Sequence, residues 1–159
     1  MAARHLSATL RRTLISDMNE PETIREILEN TKTIAVIGLS NNPGRASYGV
    51  AKFMQSQGYR IIPVNPQVDS VLGERSYATL EDAWLANDKG IDLVNVFRAP
   101  EHLPEIVLEV IRLKIPRLWM QEEVIHNQAD AEPEAAGIRV VMSHCILKER
   151  MAAGWRTMP

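Results

Sequence analysis

Short apolar segments rich in β-branched residues alternate along the chain with segments whose apolar positions repeat at helical spacing. The first kind lacks polar alternation, which predicts strands buried on both faces. These strands span residues 33–37, 60–64, 92–97, 117–120 and 138–142. The second kind predicts helices, and they span residues 22–30, 46–57, 80–86 and 101–113. Strand and helix therefore alternate from the first strand onward.

This alternation predicts an α/β fold in which right-handed crossovers join parallel strands. We expect a single Rossmann-like, doubly wound parallel sheet with helices on both faces, formed by residues 21–150. Residues 72–77 are a candidate for one short extra strand. The polar segment 127–134 predicts a short or broken last helix, and residues 151–159 are expected to form an exposed tail.

Residues 1–20 have a composition of their own. Three arginines accompany Ser and Thr within residues 1–16, and no acidic residue precedes Asp17. One interpretation is a loose arm or short helix, which we favour and which fits a cytoplasmic protein. The alternative is a mitochondrial transit peptide over residues 1–16, which would place the protein in the mitochondrial matrix.

Composition narrows the function classes. The chain has 159 residues, of which 45% are hydrophobic and 24% charged, as in globular domains. The net charge of -2 provides no basic field for nucleic acid, and the apolar runs are too short to span a membrane. The single cysteine, Cys145, excludes an intramolecular disulfide and a multi-cysteine zinc site, and we expect no metal. A protein partner or a homodimer stays open.

The segment after the first predicted strand has the features of a phosphate-binding loop. In open parallel sheets, ligands bind beyond the carboxyl ends of the strands. Glycine permits a tight turn, the following helix N-terminus favours an anion, and an arginine can pair with phosphate. The candidates in this loop are Gly38, Ser40, Asn41, Pro43, Arg45, Ser47 and Tyr48. The alternative is an ordinary turn that caps the next helix.

A dinucleotide-binding fingerprint is not complete in this loop. Ser40 and Pro43 stand where G-x-G-x-x-G requires glycines, and the acidic residue that would bind a ribose is missing directly after the second strand, where the chain reads Asn65-Pro66-Gln67. An NAD(P)-binding domain is therefore the least favoured alternative. Asn65 and Pro66 follow that second strand instead, where they suit contact with adenine or ribose, or a plain turn.

Two further strand ends carry candidate contacts. Phe97 and Arg98 follow the third strand, where Phe97 could stack on a base or a pantetheine arm and Arg98 could reach a phosphate. Equally, Phe97 could belong to the core while Arg98 is solvated. Gln121 follows the fourth strand and places an amide beside the same crevice.

The order of these motifs resembles a known family. G-x-S-x-x-P-x-R-x-S follows the first strand, V-N-P the second, V-F-R the third and W-M-Q the fourth, and Cys145 follows the last. The pattern is similar to small CoA-binding domain proteins related to the N-terminal domain of the succinyl-CoA synthetase α subunit. The resemblance implies coenzyme A as ligand. It implies contacts from Gly38, Ser40, Asn41, Pro43, Arg45, Ser47, Tyr48, Asn65, Pro66, Phe97, Arg98 and Gln121.

The chain departs from that pattern at Glu122 and Glu123, where the family usually has a glycine. Our interpretation is a CoA or acyl-CoA binding protein without its own catalytic centre, in a sensing, carrying or regulatory role. The alternative is an enzyme or redox module that acts on CoA thioesters or the CoA thiol through Cys145. His144 precedes that cysteine, but a buried and inert cysteine is the expected arrangement.

Overall fold

A parallel sheet of five strands forms the centre of the protein, of which the computed structural model describes residues 21–121, 137–142 and 144–153. Its strands are β1 (Thr33–Ile37), β2 (Arg60–Val64), β5 (Leu93–Val96), β6 (Arg117–Met120) and β7 (Arg139–Met142). A separate hairpin contains β3 (Ser70–Val71) and β4 (Glu74–Arg75). The α-helices are α1 (Pro21–Asn30), α2 (Ala46–Ser56), α3 (Leu80–Ala86), α4 (Leu103–Arg112) and α5 (Ile146–Ala152).

The strand order is β2-β1-β5-β6-β7, and every neighbouring pair is parallel. The chain moves from β1 to β2 on one side, then crosses back to β5 and continues outward to β7. The order therefore reverses between β1 and β5, whose last paired residues are Ile37 and Val96. Ligands of doubly wound sheets bind at such a reversal.

Successive strand residues face opposite helical layers, as the two-residue period of a strand requires. On one face, Ala35 and Leu118 belong to a core that includes buried residues of α3 and α4. On the other, Val36 and Trp119 belong to a core that includes buried residues of α1, α2 and α5. The predicted Rossmann-like doubly wound sheet, with helices on both faces, is confirmed.

Most predicted elements have nearly the predicted bounds, but three segments differ. The predicted helix 101–113 is a 3₁₀ turn, Pro100–His102, followed by α4, because Pro104 is accommodated within the first turn of a helix. The candidate strand 72–77 is instead the hairpin of β3 and β4, whose turn contains Gly73 with a φ of +78°. Helix α5 was not predicted, and it extends to Ala152, past the predicted start of the tail.

Several predictions lie outside the described residues. They concern the N-terminal arm 1–20, the acidic pair Glu122 and Glu123, the segment 127–134, and residues 154–159 of the tail. Within the described residues, no helix is long and apolar enough to cross a membrane.

Candidate functional site

Gly38 brings two strand ends together at the point where the strand order reverses. It follows β1 with a φ of +84°, and its N–H donates to Val64 O over 3.0 Å. A Cβ added to Gly38 would lie 2.9 Å from Phe97 O and 3.3 Å from Arg98 Cδ. The backbone conformation and this close approach both require glycine. The loop after β1 and the residues after β5 therefore form one continuous surface.

The loop between β1 and α2 is folded by its own side chains. Ser47 Oγ accepts from Ser40 N, Ser40 Oγ accepts from Asn42 N, and Asn42 Oδ1 accepts from Gly44 N, over 2.9 to 3.0 Å. Arg45 N also donates to Asn42 O over 3.0 Å. Each hydroxyl oxygen accepts in these bonds and so keeps its own proton for donation to a ligand.

The side chain of Asn65 is hydrogen-bonded to the backbone around it and is not available to a ligand. Its Nδ2 donates to Leu39 O over 3.0 Å, and its Oδ1 accepts from Gln67 N over 2.9 Å. Its backbone N–H donates to Tyr77 O. The amide that the sequence offered to a ligand is therefore used to hold the first loop against the end of β2.

Two clefts of about 400 Å³ each lie beside one another at the carboxyl ends of the strands. The first, the loop cleft, is lined by Gly38, Ser40, Arg45, Ala46, Ser47 and Phe97. The second, the cysteine cleft, is lined by Ala46, Val50, Phe97, Arg98, Gln121, Cys145 and Lys148. Ala46 and Phe97 line both, so the two clefts adjoin. Their volumes are within the range of small-molecule sites.

A third cleft, which we call the outer cleft, has a volume of about 220 Å³ and includes Val64, at the end of β2, in its lining. It is lined by Ile37, Gly38, Val64, Pro66, Ala78, Arg98, His102, Glu105 and Ile106. Gly38 also lines the loop cleft and Arg98 also lines the cysteine cleft, so the three clefts adjoin at the carboxyl edge of the sheet. We call the three together the groove.

Two guanidinium groups give this groove positive charge. Arg45 is exposed at the N-cap of α2, and among residues 21–121, 137–142 and 144–153 its side chain has no hydrogen-bond or ion-pair partner. Arg98 Nη2 donates to His102 Nε2 over 3.2 Å. Helix α2 has 11 residues and no side-chain cap, so its dipole and first N–H groups add to the attraction for an anion.

The structure brings most of the predicted site residues into this groove. Those that line it are Gly38, Ser40, Arg45, Ser47, Pro66, Phe97, Arg98 and Gln121. Asn41 and Pro43 are exposed on the loop outside the lining of these three clefts, and Tyr48 packs against the core on the α2 face. The Asn65 side chain is bonded to Leu39 O and Gln67 N, as described above.

Sequence reasoning missed the histidine beside Arg98 and the apolar wall of the cysteine cleft. His102 lies four residues after Arg98, and Val50 lies four residues after Ala46 along α2. For Val50 this spacing could have been used, because side chains four apart meet on one helical face. For His102 it could not, because Arg98 precedes the 3₁₀ turn Pro100–His102 and belongs to no helix.

The expectation of a buried cysteine is wrong. Cys145 is only partly buried, because it lies after β7 at the carboxyl edge, directly before α5. The preceding His144 is paired elsewhere, because its Nδ1 lies 2.8 Å from Glu149 Oε1 and its carbonyl accepts from Trp119 Nε1. His144 lines a different cavity, between α1 and α5, whereas Cys145 lines the cysteine cleft.

The family model of the CoA binding domain matches residues 32–151. The chain belongs to this CoA-binding domain family. It is 42% identical over 123 residues to the uncharacterized protein YneT of Bacillus subtilis, covering 77% of this chain and 88% of YneT. The solved structure of cell-free ID.343 from Thermus thermophilus is 32% identical, with a TM-score of 0.76, and the match covers 84% of this chain and 98% of that one.

A match to a larger enzyme is confined to one part of it. The ADP-forming acetate–CoA ligase of Methanocaldococcus jannaschii is 28% identical over 74 residues, which are 46% of this chain and 10% of the ligase. The resemblance to CoA-binding domains of the synthetase type, inferred above from the motifs, is therefore confirmed at the level of the domain.

Proposed function

We propose that this protein binds coenzyme A, or an acyl-CoA, in the groove at the carboxyl edge of its sheet. The observation that carries the proposal is the close approach of Phe97 O to Gly38, which leaves no space for a Cβ there and brings the loop cleft to the end of β5 at the reversal of strand order. A groove at this place, in a chain of the CoA-binding domain family, suits a long anionic nucleotide.

The chemistry of the lining residues fits the parts of CoA. The diphosphate needs cationic, hydroxyl and N–H donors, which Arg45, Ser47 and the N-terminus of α2 offer in turn. The pantetheine arm needs an apolar wall with a few polar groups. Val50, Phe97 and Gln121 of the cysteine cleft offer both.

We propose a binding role, in sensing, carrying or regulation, rather than turnover of the ligand. A cytoplasmic setting fits a chain with one cysteine and no disulfide. Thioester hydrolysis on incubation with acetyl-CoA, above a blank without protein, would instead favour the enzyme alternative.

Calorimetric titration tests the proposal, with CoA, acetyl-CoA, NAD, NADP and ATP as separate ligands under reducing conditions. CoA is expected to bind more tightly than NAD or NADP. Arg45→Ala should weaken CoA binding by roughly tenfold to a hundredfold, since a hydrogen bond to a charged group is worth about 1.5–3 kcal/mol.

Arg139→Ala is the matched control. Arg139 is an exposed arginine at the amino end of β7, on the edge of the sheet away from the groove. The Arg139→Ala substitution removes the same charge as Arg45→Ala and should leave CoA affinity unchanged. Tighter binding of NAD than of CoA, or equal losses in the two variants, would contradict the proposed site.

A further inference from the structure

The only cysteine of the chain lies at one end of the proposed ligand groove. Cys145 is partly exposed and lines the cysteine cleft together with Val50 and Phe97. The cleft shares Ala46 and Phe97 with the loop cleft, so the sulfur lies in the cleft that adjoins the proposed phosphate site at Arg45.

A second group in the same cleft is built to meet a ligand. Gln121 is only 5% exposed, and its Oε1 accepts from Ile146 N over 3.2 Å. Its Nε2 makes no hydrogen bond within the part of the chain that the structure describes, although Gln121 lines the cleft. The Nε2 atom is not among the fully buried side-chain atoms that lack a partner in the described residues, so this donor keeps access to the cleft and is available to a ligand there. The carbonyl groups of a pantetheine arm are acceptors that would satisfy it.

The orientation of CoA follows from the strand order. In doubly wound sheets the ribose of a nucleotide lies at the end of the second strand, and its phosphates lie at the helix N-terminus after the first. Here these places are the outer cleft beside Pro66 and the loop cleft at Arg45. The other end of the molecule, which carries the thiol, then extends toward β6 and β7, where Cys145 is found.

We propose that Cys145 is a site of covalent CoA attachment by thiol–disulfide exchange. This inference rests on the proposed function, because the groove must first orient the nucleotide. The reactant is the symmetrical disulfide of CoA. The Cys145 thiol gives its proton to solvent, and its sulfur attacks one sulfur of the disulfide. A bond forms between protein and CoA, the original S–S bond breaks, and one CoA leaves as thiolate, so no external oxidant is required.

The rest of the sequence determines how long such an adduct lasts. The chain has no second cysteine, so no neighbouring thiol of the same molecule can displace the attached CoA. Release then depends on an external thiol, and occupancy of the groove follows the balance between CoA disulfide and reduced thiols in solution. The fraction of the protein that carries covalently bound CoA would therefore depend on the redox state of the solution.

The test follows the intact mass of the full chain on incubation with CoA disulfide or, separately, with glutathione disulfide at equal concentration. We expect a mass increase of one CoA unit that a reducing agent reverses and that Cys145→Ser abolishes. CoA disulfide should react about tenfold or more faster than glutathione disulfide, because the groove raises the local concentration of the bound reagent. Arg45→Ala should remove this preference, and Arg139→Ala should keep it.

Equal rates for the two disulfides, or no adduct with CoA disulfide, would overturn the inference. Titration of the native chain with reduced CoA distinguishes the proposed CoA binding from the proposed role of Cys145. If reduced CoA binds and the adduct does not form selectively, only the role of Cys145 is wrong. If reduced CoA does not bind, the proposed function is wrong as well.

Discussion

Replacement of Gly38 by alanine is expected to damage the fold and the candidate site together. Two separate costs contribute. An L-residue in the left-handed region costs roughly 1–2 kcal/mol, and Gly38 has a φ of +84°. The new Cβ would also lie 2.9 Å from Phe97 O, a backbone atom that cannot move away by changing a rotamer. Overpacking of this kind costs about 1–3 kcal/mol.

Gly73→Ala provides the matched control, because it carries the first cost without the second. Gly73 has a φ of +78°, but a Cβ placed there meets no heavy atom within 4 Å. It lies in the turn between β3 and β4, away from the lining of the groove. The difference in unfolding free energy between the two variants therefore isolates the contact between Gly38 and Phe97.

Urea denaturation of native, Gly38→Ala and Gly73→Ala proteins measures that difference. We expect Gly38→Ala to be less stable than Gly73→Ala by about 1–3 kcal/mol. We also expect Gly38→Ala to weaken CoA binding, since the displaced carbonyl belongs to the residue that lines both main clefts. Equal destabilisation in the two variants, with CoA affinity intact in both, would refute the reasoning.

Three other changes have distinct expected outcomes. Burial raises the pKa of Tyr59 above its usual value of 10.0. The free energy of unfolding should therefore fall as the pH rises from about 10 through the higher folded-state pKa, and Tyr59→Phe should flatten that fall in urea titrations across this range. Asn65→Ala removes the bonds to Leu39 O and Gln67 N and should lower both stability, by about 1–2 kcal/mol, and CoA affinity in calorimetry. Asp92→Ala removes the carboxylate that accepts from Lys32 N and Thr33 N at the amino end of β1, on the edge of the sheet opposite the groove. It should lower stability by about 1–3 kcal/mol and leave CoA affinity unchanged. A loss of CoA affinity in this variant would count against the location of the site.

The sheet could be predicted from the sequence because its strands are buried on both faces. Nearly continuous apolar runs such as 33–37 and 60–64 are typical of parallel strands covered on both faces, and their bounds match β1 and β2. The hairpin could not be predicted in the same way. Its strands have two residues each, so no period is visible, and the turn depends on positive φ at Leu72 and Gly73.

The candidate site could be predicted in its residue types but not in their roles. Arg45 and Phe97 were found because they follow strands whose ends meet at one edge. The role of Asn65 could not be found, because its partner Leu39 is 26 residues away in the chain and the two meet only through the register of β1 and β2. The exposure of Cys145 likewise depends on where β7 ends and α5 begins.

A crystal structure of the protein with CoA is the most direct test of the central claim. We predict the diphosphate against Arg45 and Ser47 at the N-terminus of α2, with the thiol end in the cleft beside Cys145. CoA bound elsewhere, for example in the cavity between α1 and α5, would contradict the account.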